Sequence, residues 1–128
     1  MALEQDVYQL VNEERTSQGF PPLQWSEGAA KAARVKAEDL WNKNYFDHRS
    51  PVYGSPEALL KRMGVTFTGA GENLGQGPPN AAGMMHGWMA SPGHRANILH
   101  ESFTHLGVGA FHVPNTGEVY VVQLFLKV

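Results

Sequence analysis

The hydrophobic residues of this chain change their spacing once, towards the C-terminal end, and this change limits the folds that the chain can adopt. In the first part, apolar residues such as Leu3, Val7 and Leu10 recur at the spacing of an amphipathic helix. Near the end, residues 106–113 and 119–128 flank the turn sequence PNTG and predict an antiparallel hairpin. Helices followed by strands predict an α+β domain.

Capping residues and glycines divide the first part of the chain into several helices. The predicted helices run up to Gly19, over about 26–43, and over 56–64, 79–90 and 91–99. Ser26 and Ser91 are predicted N-caps, and His94 falls in the first turn of the last helix. Because 128 residues suit one hydrophobic core, we expect residues 1–128 to form a single domain.

Composition argues against several classes of function. The chain has no cysteine, which excludes disulfides, thiolate nucleophiles and zinc–thiolate sites. The net charge is −2 and the ten Lys and Arg are scattered, so we expect no nucleic acid partner. No apolar run approaches the roughly 20 residues that span a bilayer. The opening MALEQDVYQL lacks the basic-then-apolar form of a signal peptide, which is compatible with a mature domain cut from a longer precursor.

The stretch GAGENLGQG, residues 69–77, resembles a phosphate-binding loop only in its glycine content. Its glycines do not have the G-x-G-x-x-G spacing, and the carboxylate of Glu72 would repel a phosphate. We interpret it as an irregular segment with a flexible backbone that carries Glu72. The alternative is that the glycines serve only tight turning and close packing.

The six histidines form no local metal-binding motif, since H-E-x-x-H is absent and no two share a helix at metal-ligand spacing. His48 lies in the polar loop FDHRSP. We expect His94 to be neutral near pH 7, because the positive end of a helix dipole disfavours an imidazolium. A neutral ring can bind a metal or accept a proton, or it can help to cap its own helix. A serine hydrolase is not favoured, because G-x-S-x-G is absent and Ser91 is assigned to capping.

The motifs FDHRSP, GENLG, W-x-x-SPGHRANIL and LGVGAF occur in this order, after an opening that reads VNEERTSQGFPPLQWSEGAAKAA. Together they resemble the CAP superfamily of cysteine-rich secretory, antigen 5 and pathogenesis-related 1 proteins, and above all its bacterial, disulfide-free branch. The resemblance covers essentially the whole chain. It implies a three-layer α-β-α sandwich with a central, mostly antiparallel sheet and a cleft on one side.

In eukaryotic members of this superfamily, the cleft holds two histidines and two glutamates that can bind a divalent ion such as zinc. The resemblance places His48 and His94 at the histidine positions and Glu72 at the first glutamate position, while Ser91 stands in place of the second glutamate. Zn²⁺ or another divalent cation would then have three protein ligands and an open position. Ser91 cannot act as a general base, which weakens carboxylate-pair chemistry. A metal-free site, in which Glu72 holds a histidine by a hydrogen bond, is the alternative.

Further side chains are assigned to the lining or bracing of the cleft. They are Ser91, Tyr53, Asn73, Trp88, Arg95 and Asn97, of which Asn73 is expected to secure the backbone around Glu72.

Three functions stay open from the sequence. The first is a secreted or envelope-associated binding module for a divalent ion or small ligand. The second is a hydrolase that uses a metal-bound water or the histidine pair, and the third is a structural domain with a vestigial site. The expected partner is a small molecule, a lipid or a cell-envelope component, and we expect a monomer. Whether the chain is an enzyme is left open, because the fold alone implies no reaction.

Overall fold

The computed structural model describes residues 2–128 and places helices on both faces of one sheet. In chain order the elements are α1 (Ala2–Ser17), β1 (Gln24–Trp25), α2 (Glu27–Asn42), α3 (Pro56–Arg62), β2 (Gly69–Gly77), α4 (Ala81–Ala90), α5 (Pro92–Ile98), β3 (His105–His112) and β4 (Val119–Lys127). The strand order is β1-β3-β4-β2, in which β4 pairs antiparallel with β3 and β2, and the short β1 runs parallel to β3. The predicted α+β class and three-layer architecture are confirmed. Within residues 2–128, no helix has the length and apolar character needed to cross a bilayer.

Alternation along β4 creates the two hydrophobic cores. Val121 and Phe125 face one side of the sheet and pack with residues of α1, α4 and α5. Val122 and Leu124 face the other side and pack with α2 and α3. Because successive side chains of a strand point to opposite faces, one apolar strand serves both cores. The predicted hairpin is confirmed as β3 and β4.

Most helix boundaries follow the capping pattern. The Ser26 hydroxyl accepts a hydrogen bond from the Ala29 N–H at 3.1 Å, which confirms Ser26 as the N-cap of α2. The helix α4 begins later than expected, because the Asn80 side chain accepts from the Gly83 N–H at 2.9 Å and so forms the N-cap.

The interpretation of residues 69–77 as an irregular segment is wrong, because they form the strand β2, paired with β4 along its whole length. Its glycines make room for aromatic rings. A Cβ on Gly71 would lie 2.9 Å from the Phe103 ring, and a Cβ on Gly75 would lie 2.8 Å from the Trp88 ring. A run this rich in glycine has low intrinsic strand propensity, and pairing with an apolar neighbour overrides that propensity.

Helix α2 lies directly on the backbone of β3. A Cβ on Gly107 would stand 2.2 Å from the backbone nitrogen of Ala30, and a Cβ on Gly109 would stand 2.2 Å from that of Arg34. Atoms cannot approach so closely, so this contact requires glycine on the strand. It fixes the position of the helix that supports the His48 loop.

A buried arginine ties α1 to the end of α5. Arg15 is 1% exposed, and its Nη1 donates to the carbonyl oxygens of Ile98 and His100, each at 2.9 Å. Its Nε donates to the carbonyl oxygen of Pro21 at 2.9 Å. Carbonyl groups at the end of a helix lack hydrogen-bond donors within the helix, and Arg15 donates the missing hydrogen bonds. The helix that carries His94 is thereby held at its C-terminal end.

We expect Gly107→Ala and Gly109→Ala each to lower the free energy of unfolding by about 3 kcal/mol, since the added methyl group forces α2 away from the sheet. Chemical denaturation measures this loss. The control is Gly93→Ala in α5, where a Cβ meets nothing within 4 Å. That variant should be neutral or slightly more stable, because alanine is the better helix former. Equal stability of Gly107→Ala and Gly93→Ala would contradict the close contact.

Candidate functional site

The loop that carries His48 is held by a buried lysine. Lys36 of α2 is 2% exposed, and its Nζ donates to the carbonyl oxygens of Asp47 at 2.7 Å and His48 at 2.8 Å. The ammonium group also lies 4.8 Å from the centre of the Tyr45 ring. Hydrogen bonds and this cation–π contact compensate for its burial. The backbone of His48 is therefore fixed directly by α2.

A second anchor holds the same loop from Asp39 of α2. The Ser50 hydroxyl donates to Asp39 Oδ2 at 2.6 Å, and the Tyr45 hydroxyl donates to the same oxygen. Ser50 Oγ also accepts the N–H groups of Val52 and Tyr53, both at 3.0 Å. Burial, and then the bond to Asp39, raise the pKa of Tyr45. The loop thus has a defined conformation on both sides of His48.

Sequence reasoning missed Lys36 and Asp39. Both lie on the buried face of α2 among small residues such as Ala33 and Ala37. Charged residues are almost never fully buried unless they are paired. A lysine and an aspartate within an alanine face at helical spacing were the signal that could have identified them.

Glu72 lies in the middle of β2, on the same face of the sheet as its register partner Leu124. Its Oε1 is 2.9 Å from Nδ1 of His48. The carboxylate side chain is 2% exposed, whereas the imidazole is 57% exposed. Glu72 Oε2 is buried and has no hydrogen-bond partner among residues 2–128. One oxygen of this buried carboxylate therefore orients His48, and the other meets no polar group of residues 2–128.

Ser91 occupies the N-cap position of α5, but the expectation that its side chain caps the helix is wrong. Its Oγ instead lies 2.9 Å from Nδ1 of His94, the third residue of α5. The hydroxyl has turned from the backbone N–H groups to the imidazole ring three residues later. Ser91 therefore orients His94 much as Glu72 orients His48.

The two histidines have opposite pKa shifts. The hydrogen bond with Glu72 raises the pKa of His48 above its ordinary value, against the effect of burial. Burial, followed by the positive charge of His48, lowers the pKa of His94. Burial raises the pKa of Glu72, and His48 and Lys36 oppose that rise. The lowered pKa favours the neutral form of His94 near pH 7, and its main cause is burial and not the helix dipole. Neighbouring groups with divergent pKa values are suited to different roles.

Two asparagines connect β2 to α5. Asn73 Nδ2 donates to the carbonyl oxygen of His94 at 3.1 Å and to Gln123 Oε1 at 2.9 Å. Asn97 Nδ2 donates to the carbonyl oxygen of Glu72 at 3.2 Å and to Asn73 Oδ1 at 2.9 Å. Asn73 of β2 thus holds the backbone of His94 on α5, and Asn97 of α5 holds the backbone of Glu72 on β2. We call this arrangement the asparagine cross-brace.

A groove runs between β2 and α4 and reaches His94. Its volume is about 500 Å³. The lining consists of Gly75, Gln76, Gly77, Pro78, Asn80, Gly83, Met84, Gly87, Trp88, Ser91 and His94. Trp88 is buried, and its Nε1 donates to the carbonyl oxygen of Leu74 at 3.0 Å. The groove is thus an opening with several glycines and apolar side chains, and Ser91 and His94 are among its polar groups.

One of the residues assigned to the cleft, Tyr53, lies elsewhere in the structure. The ring of Tyr53 is 5.2 Å from the guanidinium carbon of Arg62 on α3, and it lines a hollow beside α2 together with Asp39. Arg95 is exposed on α5. The structure brings Ser91, Trp88, Asn73 and Asn97 together around the site instead.

The side chains around the two histidines provide only part of a ligand set for a divalent ion. Among residues 2–128, no group of three or more histidine, aspartate or glutamate side chains is arranged to hold a metal ion. The Nδ1 atoms of His48 and His94 are both occupied, and neither Nε2 has a hydrogen-bond partner within this range. A metal-binding histidine coordinates the metal through one ring nitrogen and makes a hydrogen bond with the other. Zinc binding by His48, His94 and Glu72 stays a prediction. Glu72 is hydrogen-bonded to His48, which is one of the other two proposed ligands.

Sequence comparison relates the chain to bacterial proteins. The profile of the cysteine-rich secretory protein family (CAP) matches residues 8–125. The chain is 48% identical over 126 residues to YkwD of Bacillus subtilis (strain 168), covering 98% of this chain and 48% of that protein. It is 35% identical over 124 residues to the membrane protein YlbC of the same organism, covering 97% of this chain and 34% of that protein. The chain therefore spans about half of one relative and a third of the other.

Structural comparison points to the same family. An extracellular protein containing a SCP domain from Bacillus anthracis str. Ames superposes with a TM-score of 0.92 at 33% identity, over 99% of this chain and 41% of that chain. An outer surface protein from Borrelia burgdorferi has a TM-score of 0.86 at 20% identity, over 97% of this chain and 93% of that chain. At this lower identity the likeness shows the fold alone.

We expect Glu72→Gln to lower the pKa of His48, because the variant removes the carboxylate charge and keeps the side-chain shape. NMR titration of the imidazole signals, with a chelator present, measures this. Because folding raises the pKa of His48 above 6.5, its pairing stabilises the protein fully below that pH and is lost as the pH rises through the folded-state pKa. Glu101→Gln, an exposed change beyond α5, is the control. An unchanged His48 titration in Glu72→Gln would contradict the pairing.

Proposed function

This chain belongs to the cysteine-rich secretory protein family, and we propose that it is a ligand-binding module that works outside the cell or in the cell envelope. The proposed binding cleft lies between His48 and His94 and continues into the groove along α4. The observation that carries this proposal is the paired arrangement of the imidazoles: each Nδ1 is held by a neighbouring oxygen, and each Nε2 is available to a ligand.

The charges of the His48 and His94 imidazoles favour a polar or anionic group on the part of the ligand that contacts them. His48 is the more basic ring, because its bond with Glu72 favours the imidazolium. His94 is neutral and offers a second ring nitrogen. A charged donor beside a neutral ring suits a carboxylate or a comparable oxygen-rich group. The remainder of a small ligand would occupy the groove of about 500 Å³, whose size is within the range of ordinary ligand sites.

The rigidity of the surroundings supports binding over a purely structural role. The backbone of His48 is held by Lys36, and that of His94 is held by Asn73. The imidazole of His48 is 57% exposed, and His94 is half-buried. A site that is preorganised by buried polar groups, while its own rings stay accessible, is typical of ligand recognition.

A divalent ion is a second occupant that the same residues suit. His48 and His94 would hold it through Nε2, and Glu72 and Ser91 would stay behind them as hydrogen-bond partners. Such an outer shell orients the rings and increases their basicity. When bound, the ion would supply positive charge and open coordination positions for an oxygen of the ligand.

The proposed location rests on the relatives. The protein from Bacillus anthracis, at 33% identity, is described as extracellular. YlbC, at 35% identity, is described as a membrane protein. The absence of cysteine is compatible with a bacterial extracellular domain, since the fold has its stabilising interactions in two cores and several buried polar contacts.

Zinc binding to the purified protein tests the proposal. We expect Zn²⁺ to shift the imidazole NMR signals of both His48 and His94 and to release or absorb heat in calorimetry. His48→Ala and His94→Ala should each weaken binding by about 100-fold, and Glu72→Gln by about 10-fold, as for the loss of an outer-shell partner. His112→Ala, at an exposed position on β3, is the matched control and should bind like the wild type.

The same titration separates the alternatives. If His48→Ala and His112→Ala give the same heat, the metal mode is wrong. The imidazole signals are then followed with acetate and hexanoate, which carry the expected anionic group on a short and a longer apolar chain. Unchanged signals of both histidines with Zn²⁺ and with these carboxylates would leave only a bracing role for the site.

A further inference from the structure

The interaction that Ser91 makes with His94 could do more than orient the imidazole ring. Ser91 stands at the N-cap position of α5, yet its side chain makes no capping hydrogen bond. Its Oγ lies 2.9 Å from Nδ1 of His94. A serine hydroxyl within hydrogen-bond distance of an imidazole nitrogen can be activated as a nucleophile when that nitrogen accepts its proton.

The pair also has access to a substrate. Ser91 and His94 both line the groove, and Pro78, Met84 and Trp88 supply apolar surface within it. A Cβ on Gly77 or on Gly87, two other lining residues, would meet nothing within 4 Å, so the groove is open at these positions. A substrate with an apolar acyl chain would therefore be bound with its carbonyl group near Ser91.

We propose that Ser91 and His94 form a nucleophile–base pair that hydrolyses carboxylic esters whose apolar acyl chain lies in the groove. This activity goes beyond the proposed binding role, because a cleft can bind a ligand without cleaving it. It requires the ring proton of His94 to reside on Nε2, so that Nδ1 accepts the hydroxyl proton.

Besides the ester, water is the only reactant that this hydrolysis requires. Ser91 Oγ forms a bond to the ester carbonyl carbon while its proton passes to Nδ1 of His94. The bond between that carbon and the alcohol oxygen then breaks, and the alcohol leaves with the proton from His94. Water attacks the acyl–Ser91 ester and gives a proton to His94. The carboxylic acid departs as Ser91 Oγ recovers this proton.

His48 supplies an electrostatic element for this reaction. The charge of a protonated His48 contributes, after burial, to the lowered pKa of His94. A fixed positive charge favours the anionic tetrahedral intermediate over the neutral ester. Glu72 keeps His48 in place through Nδ1. Two oriented histidines would then divide the roles of base and charge stabiliser.

The first test is covalent labelling of the wild-type protein with a fluorophosphonate probe, in the presence of EDTA, followed by peptide mass spectrometry. We expect the label on Ser91. The chain offers a matched control in Ser55, which also occupies an N-cap but makes the ordinary capping bond, to the Ala58 N–H at 3.1 Å. Absence of label from Ser91 would overturn the proposal, and this result needs no variant that must fold.

The second test is turnover of p-nitrophenyl esters with EDTA. Ser91→Ala and His94→Gln should each lower the rate by about 100-fold or more, as expected for loss of a nucleophile or a general base, whereas Ser55→Ala should keep it. From acetate to hexanoate, each added methylene group should increase kcat/KM by about fourfold, until the groove is filled. Equal rates for Ser91→Ala and wild type would overturn the proposal. A protein that binds hexanoate but shows neither label nor turnover would retain the proposed binding function and lose this one.

Discussion

The asparagine cross-brace is the interaction on which the candidate site depends. Glu72 belongs to an edge strand and His94 to a short helix, and no regular hydrogen-bond ladder connects these two elements. Asn73 and Asn97 supply the connection by binding each other and the backbone carbonyls of His94 and Glu72. An edge strand leaves backbone groups unpaired, and here a side chain from the neighbouring helix binds one of them.

The position of the His48 loop depends on two buried charged residues of α2. Close packing at Gly107 and Gly109 sets this helix on the sheet, which brings Lys36 and Asp39 under the His48 loop. A buried charge is stable only when it is paired or well hydrogen-bonded, so these contacts specify one loop conformation. His48 then meets Glu72 across the edge of the sheet. His48 and His94 are therefore held by two polar networks that meet at Glu72, one from α2 and one through the asparagine cross-brace.

Local signals in the sequence predicted those features that depend on neighbouring residues. The N-cap at Ser26, the hairpin around PNTG and the place of His94 in the first turn of a helix all follow from adjacent positions. The family motifs identified His48 and Glu72, which the structure joins by a hydrogen bond. The strand β2 was not predictable in this way, because its conformation comes from pairing with β4 and from the aromatic rings packed on its glycines.

The orientation of side chains was equally beyond local reasoning. Ser91 has the position of an N-cap, and only the fold shows that its hydroxyl contacts His94 instead. Tyr53 follows the His48 loop in sequence, yet it packs towards α3. In both cases the position in the chain allowed more than one side-chain contact, and residue spacing did not decide between them.

A double-mutant cycle on Asn73 and Asn97 measures whether the cross-brace joins β2 to α5. The free energies of unfolding of Asn73→Ala, Asn97→Ala and the double variant are measured by chemical denaturation. If the cross-brace joins β2 to α5, the two substitutions should be coupled by about 1 kcal/mol or more. Losses that add to within about 0.3 kcal/mol would show that the two asparagines act independently, and would contradict this account of how the site is held together.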